Sequence, residues 1–203
     1  MRQIVAVFIF FLIMSLPYSC EDGCDSATFS NTITEISADI GIKTLAFESR
    51  SNINSTDAVF EVRIEDIEQE QIASSTVKFD GLVAKTFAES CPLFIELKYE
   101  LNDIRITSSM AVSFVGNTIS AGEDLSSYFR AKQPFESGLI PIEELIQTIN
   151  FEQNYWFSSA GDGVEFRFNQ VPDQNIEGFF TFEFTFENSI LSASTSNVTI
   201  TVN

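Results

Sequence analysis

FFTFEFTFE, residues Phe179–Glu187, alternates ring and polar side chain after its first residue without a break. In an extended chain successive side chains point to opposite faces. Phe180, Phe182, Phe184 and Phe186 therefore form one apolar stripe, and Thr181, Glu183, Thr185 and Glu187 form the other face. A helix would scatter the same rings around its circumference. The run predicts a strand with one buried face. The Asn188-Ser189 corner then turns the chain into Ile190–Thr195, and Val198–Val202 supplies a further strand.

Working outward, the same alternation recurs. In residues 57–65, Phe60, Val62 and Ile64 oppose Glu61, Arg63 and Glu65. In 93–101, Leu93, Ile95, Leu97, Tyr99 and Leu101 oppose Phe94, Glu96, Lys98 and Glu100, which predicts one continuous strand. Residues 104–107, 110–115 and 164–168 read as strands, as do 28–36 and 42–48 around a soft boundary at Gly41. Residues 67–72 fit a strand end or one helical turn, and Asp80-Gly81 fits a hairpin turn between 77–79 and 82–87. Two short helices interrupt the pattern. One starts at the capping-box match Ser120-Ala121-Gly122-Glu123 and carries Leu125, Tyr128 and Phe129. The other starts near Pro141, with Glu143 and Glu144 in its first turn and Leu145, Ile146 and Ile149 as its apolar face. Residues 131–138 read as a linker. Many short strands between turns predict an all-β fold, an immunoglobulin-like antiparallel β-sandwich with two short helical insertions; a closed barrel is the alternative.

The N-terminal end carries an address. Arg2 precedes the apolar run Ile4–Leu16, which is too short to span a bilayer as a stable helix. Pro17-Tyr18-Ser19-Cys20 follows, then Glu21-Asp22. Ser19 before Cys20, with Leu16 close by, resembles the lipobox of bacterial lipoproteins, although Leu16 stands one place further upstream than usual. The resemblance implies a lipoprotein-type signal peptide over 1–19, lipidation of Cys20, and a tether over 20–26 leading into a single domain over 27–203. The chain is then an outer-membrane lipoprotein, and the alternative is a soluble secreted protein.

Three cysteines leave one unpaired in an oxidising compartment. With lipid on Cys20, Cys24 and Cys91 remain as a disulfide pair worth ~4 kcal/mol in the chain-entropy model. A local Cys20–Cys24 bond is the competing arrangement. The thiols lack the C-x-x-C spacing of a zinc or redox site.

Composition excludes more than it assigns. The net charge is −18, and removing 1–19 deletes one basic residue and no acidic one. Such a polyanion makes nucleic acid a poor partner. There is no histidine, which removes Ser-His-Asp and Cys-His catalysis and imidazole-ligated metals. No phosphate-cradling Gly loop or EF-hand series is present. With 21 phenylalanines the chain has ample material for a core.

The candidate sites are few. Tyr155-Trp156-Phe157 holds the only Trp, and in a strand Trp156 points opposite to Tyr155 and Phe157. Phe94 stands on the polar face of its strand. These rings either pack beneath the helices or form an exposed patch of the kind on which sugars stack. The carboxylates Glu65, Asp66, Glu68 and Glu70, and separately Asp162 with Glu165, are oxygen donors of the type calcium uses, but without the regular loop spacing. A solvated strand end and a turn explain them more simply. No cofactor is expected.

The C-E-D-G-C segment at 20–24, the A-G-E-D-L-x-x-Y-F segment at 121–129 and the final hairpin are similar to small Bacteroidota-type lipoproteins with a single all-β domain. That family has no assigned reaction, so the resemblance implies location and fold. Together these readings predict a cell-envelope module that binds an envelope protein or glycan without catalysis, membrane-bound through its lipid. The alternatives are a hydrolase using two carboxylates on a β scaffold and a surface-fibre or adhesion subunit completed by strand exchange.

Overall fold

The structure is a computed structural model that describes residues 28–43, 46–73, 94–132, 138–151 and 157–202. The chain divides into two compact units. The larger comprises Ser30–Glu70 with Ile95–Asn203, and the smaller Met1–Phe29 with Gln71–Phe94. Of the smaller unit only strand ends are described, and the sheets belong to the larger.

The fold is mostly strand. A seven-stranded sheet is built from β1 (Thr28–Lys43), β2 (Phe47–Ser49), β4 (Val59–Ala73), β5 (Phe94–Leu97), β9 (Phe129–Lys132), β10 (Leu139–Ile140) and β11 (Gly163–Phe168). Its order is β10-β9-β11-β4-β1-β2, with β5 also against β1. A second sheet orders β14 (Ile190–Ser194), β13 (Phe180–Phe186) and β6 (Leu101–Ser108). A third orders β12 (Ile176–Gly178), β15 (Val198–Thr201) and β3 (Asn52–Asn54), and β7 (Val112–Phe114) pairs β8 (Asn117–Ile119). The described pairings are antiparallel except β15 with β3.

The phenylalanine stripe of β13 is buried as its alternation requires: Phe180, Phe182 and Phe184 are fully covered and Phe186 nearly so. It meets the inward rings of the large sheet. Phe60 of β4 lies edge-on to Phe129, Phe168 and Phe180 at centroid distances of 5.2, 5.4 and 4.8 Å. Phe166 of β11 packs on Phe182 at 5.2 Å. Burying each ring contributes roughly 1.5–3 kcal/mol, and well-placed ring pairs add about 0.5–1.5 kcal/mol beyond area.

Helix α1 (Ile142–Asn150) follows Pro141, with Glu143 and Glu144 in its first turn. Ile142, Leu145 and Ile149 recur at helical spacing, and all three are buried.

Several expected boundaries are corrected. The chain does not break at Gly41, because β1 runs through it. A Cβ there would lie 2.1 Å from the Glu48 carbonyl oxygen, so this glycine marks a close approach of β2. Conversely, within the stretch expected as one strand the described residues 94–97 and 101 belong to two strands. β5 pairs with β1 and β6 with β13, and the chain bends at Lys98 and Tyr99 to change sheets. β4 continues through 67–72, and Ala131 and Lys132 belong to β9, not to a linker. The first expected helix is reduced to a three-residue 3₁₀ turn, Ser126–Tyr128. Glu123 does accept from the Ser120 N–H at 3.0 Å, but Gly122 and Leu125 donate their N–H groups to Ser108 and Ile106 of β6. A helix capped at Ser120 would need the Leu125 N–H for the Ala121 carbonyl, and Gly122 has a φ of 78°, outside the helical region. The hairpin expected around Asp80-Gly81 lies outside the described residues.

Candidate functional site: the charged outer face of the large sheet

The alternation that buries Val164, Phe166 and their strand neighbours sends Glu165 and Arg167 of β11 to the opposite face. Register decides their company. Glu165 stands between Lys132 of β9 and Glu61 of β4, Arg167 stands opposite Arg130, and Gly163 opposite Arg63. Lys43 of β1 reaches the same face and ion-pairs with Oε1 of Glu165. Five of the eleven basic residues in this acidic chain thus share one sheet face.

Glu165 is the most buried carboxylate described, 9% exposed. Its Oε2 is covered without a hydrogen bond, and Nη2 of Arg167 lies 3.8 Å from it. Arg63 pairs with Glu61 at 2.6 Å and extends its guanidinium to 6.0 Å from the Phe47 ring centre. Gly163 allows this path, since a Cβ there would sit 3.2 Å from Cγ of Arg63. Arg130 and Lys132 make no ion pair among the described residues, and Nε of Arg167 is buried without a partner. Like charges directly opposite on neighbouring strands oppose pairing by roughly 0.2–1 kcal/mol. Sequence reading missed this cluster because it joins β1, β4, β9 and β11. Its only trace was the outward parity of Glu165 and Arg167.

The sequence-nominated residues fare differently. Cys20, Cys24, Cys91, Tyr155 and Trp156 lie outside the described residues; Phe94 opens β5, and its side chain is not described. Among the described residues no group of three or more acidic or thiol side chains gathers to hold a metal. In the carboxylate-rich strand, Glu65 accepts from the Ser37 hydroxyl and Glu70 pairs with Lys98 at 2.6 Å. Lys98 draws the Glu70 carboxyl below its usual value, first through their hydrogen bond and then through charge. Oδ2 of Asp162 accepts the N–H groups of Ser158 and Ser159 at 2.9 and 2.8 Å, which fixes the turn into β11. A depression lined by Asn31, Thr32, Ile33, Leu97, Tyr99, Phe186, Asn188 and Ser189 admits little more than a water molecule and contains no carboxylate.

The edges of the smaller β14-β13-β6 sheet also differ. β6 is closed by side chains: Asn150 pairs with both backbone groups of Leu101, and the Ser126 hydroxyl bridges the Ile106 N–H and the Ile104 carbonyl. Among the described residues β14 pairs only with β13. The bonded pairs Phe186–Ser189 and Phe180–Thr195 fix the ladder parity, so backbone groups of Ile190, Ser192 and Ser194 point away from β13.

No family model matches the chain, and no curated protein matches it. Among solved structures the chain is similar, at 12% identity and a TM-score of 0.26, to the C-terminal domain of the Streptococcus agalactiae AgI/II polypeptide BspA; 82% of this chain and 49% of that one are covered. The C-terminal domain of the Streptococcus pyogenes antigen I/II-family protein AspA gives 12% identity and a TM-score of 0.25, over 82% and 46%. The chain spans about half the length of these proteins, and at such TM-scores the likeness bears on neither fold nor function.

Proposed function

We propose that this chain is an exported, lipid-anchored envelope module that binds a partner without catalysis. Its body is an immunoglobulin-like sandwich, a reading supported by the ring contacts between β13 and strands β4, β9 and β11. The recognition surface is the outer face of the large sheet. One observation carries this: among the described residues Arg130 and Lys132 have no ion-pair partner and Arg167 has only a 3.8 Å approach to Glu165, so three cations stand together on one face. The carboxylate-dependent hydrolase is disfavoured. Glu61 and Glu165 do oppose each other across β4 and β11, but each is already held by a cation, Arg63 and Lys43 respectively.

The test has two arms. Detergent partitioning and mass spectrometry of the mature N-terminus should find acylated Cys20; an unmodified soluble product overturns the anchor. Capture of envelope components by the native protein should be lost in Arg63→Glu and Lys132→Glu. Unchanged capture overturns the face.

A strand-exchange subunit is the second reading, favoured by the charge-free edge of β14, which has no second partner strand among the described residues. Ser192→Pro removes only an outward N–H. It should abolish any self-assembly seen by light scattering if strand addition drives it.

A further inference from the structure

Three cations of the outer face form a more specific arrangement than a basic patch. Arg130 and Arg167 are direct cross-strand partners, and Lys132 follows Arg130 by two residues on the same side of β9. Adjacent strands lie about 4.8 Å apart and two residues advance a strand by about 6.8 Å. The three charged side chains therefore rise from one small triangle of sheet, within the reach of a single group. Among the described residues the triangle has one opposing carboxylate, Glu165, whose Oε1 is already engaged by Lys43. Its remaining contact is the 3.8 Å approach to Arg167, too long for a hydrogen bond. Nε of Arg167 is buried and unpartnered, whereas Arg50 and Arg63 each bond a glutamate two residues away at 2.9 and 2.6 Å. Two guanidinium forks and an ammonium rising from neighbouring positions suit an acceptor with several oxygens and more than one negative charge. A phosphate or sulfate group answers that description better than a carboxylate, which offers two oxygens and one charge.

We propose that Arg130, Lys132 and Arg167 form a binding site for a phosphate- or sulfate-type oxyanion. The proposal rests on the reading of this sheet face as the recognition surface and names the chemistry it recognises. Arg167 supplies the buried donor, Arg130 the opposing fork and Lys132 the third charge. Glu165, pinned by Lys43, lies 3.8 Å from Arg167 and offsets part of its charge without bonding it.

The test follows the Nε–H resonance of Arg167 in the ¹⁵N-labelled full chain at low ionic strength. Inorganic phosphate, sulfate, methyl phosphate and acetate are titrated separately. The expected result is a saturable shift with the tetrahedral anions and at least tenfold weaker binding of acetate. Tighter binding of methyl phosphate than of inorganic phosphate points to a ligand-borne ester, and the reverse order to the free ion; both support the site. Arg130→Gln should weaken phosphate binding at least tenfold, Arg130→Lys should recover part of it, and Arg50→Gln should leave it unchanged. Lys132→Gln gives a second variant should Arg130→Gln fail to fold. A shift that grows linearly without saturating, or one that Arg130→Gln and Lys132→Gln leave intact, overturns the site. If Arg167 is silent while Arg63→Glu still loses its envelope partner, the oxyanion assignment fails and the surface reading stands. If capture is untouched by face variants, the surface reading itself fails.

Discussion

Asn150 imitates a strand for Leu101. Its Nδ2 donates to the Leu101 carbonyl at 2.8 Å and its Oδ1 accepts the Leu101 N–H at 2.9 Å, so the last residue of α1 closes the start of β6. Leu101 is fully buried, and both of its backbone groups depend on this one amide. Asn150→Ala should destabilise the protein by about 1–3 kcal/mol, the cost of leaving buried polar groups unpaired. Asn150→Asp keeps the acceptor and loses the donor, so it should fall between. Urea unfolding measures both, and an Asn150→Ala midpoint equal to the parent's would show that water replaces the amide at no cost.

Phe60 is the hub of the ring cluster, touching Phe129, Phe168, Phe180 and Phe182. Phe60→Ala should cost about 3–5 kcal/mol through lost burial and the cavity left behind. Phe60→Leu should cost less. Near-ultraviolet circular dichroism should lose intensity in step with stability if the rings order one another.

Gly41 and Gly163 make a graded pair. A methyl at Gly41 meets the Glu48 carbonyl oxygen at 2.1 Å, a backbone atom that cannot swing aside. At Gly163 the nearest atoms are the Val62 carbonyl oxygen at 3.1 Å and the Arg63 stem at 3.2 Å. Gly41→Ala should therefore separate β2 from β1 and cost about 1–3 kcal/mol, with Gly163→Ala clearly milder. Thermal unfolding ranks them, and the reverse order would contradict the close approach of β2.

The exposed pair Glu70–Lys98 has a defined pH signature. Their hydrogen bond and attraction lower the Glu70 pKa and raise that of Lys98. With Glu70 depressed, the pair's contribution is complete above the unfolded carboxylate pKa and disappears as pH falls through the folded one. With Lys98 raised, it is complete below the unfolded lysine pKa and is lost as pH rises through the folded one. Lys98→Ala should move the Glu70 titration midpoint, followed by NMR, upward to the usual carboxylate value. The unfolding midpoint at neutral pH should hardly change, because both groups are solvated. A Glu70 midpoint indifferent to Lys98 would mean the pair does not persist in solution.

The strands of the core were legible because their signal is local. Phe180 to Phe186 announce a buried face by spacing alone, as do Phe60, Val62 and Ile64. Helix α1 was legible through Pro141 and the spacing of Leu145 and Ile149. The turn at Ser120–Glu123 misled, because its capping geometry forms while the following N–H groups bond β6. The stretch 93–101 misled for a related reason. Unbroken alternation does not reveal that Leu97 belongs to one sheet and Leu101 to another.

From the sequence alone came the extended, phenylalanine-cored body, the acidic surface and the exclusion of histidine chemistry, since composition and period-2 spacing are properties of the chain itself. Only the tertiary structure decided that Arg130 opposes Arg167, that Lys43 reaches Glu165 and that Asn150 closes an edge. Those relationships depend on strand order and register, which hydrogen bonding between distant segments selects and no single segment encodes.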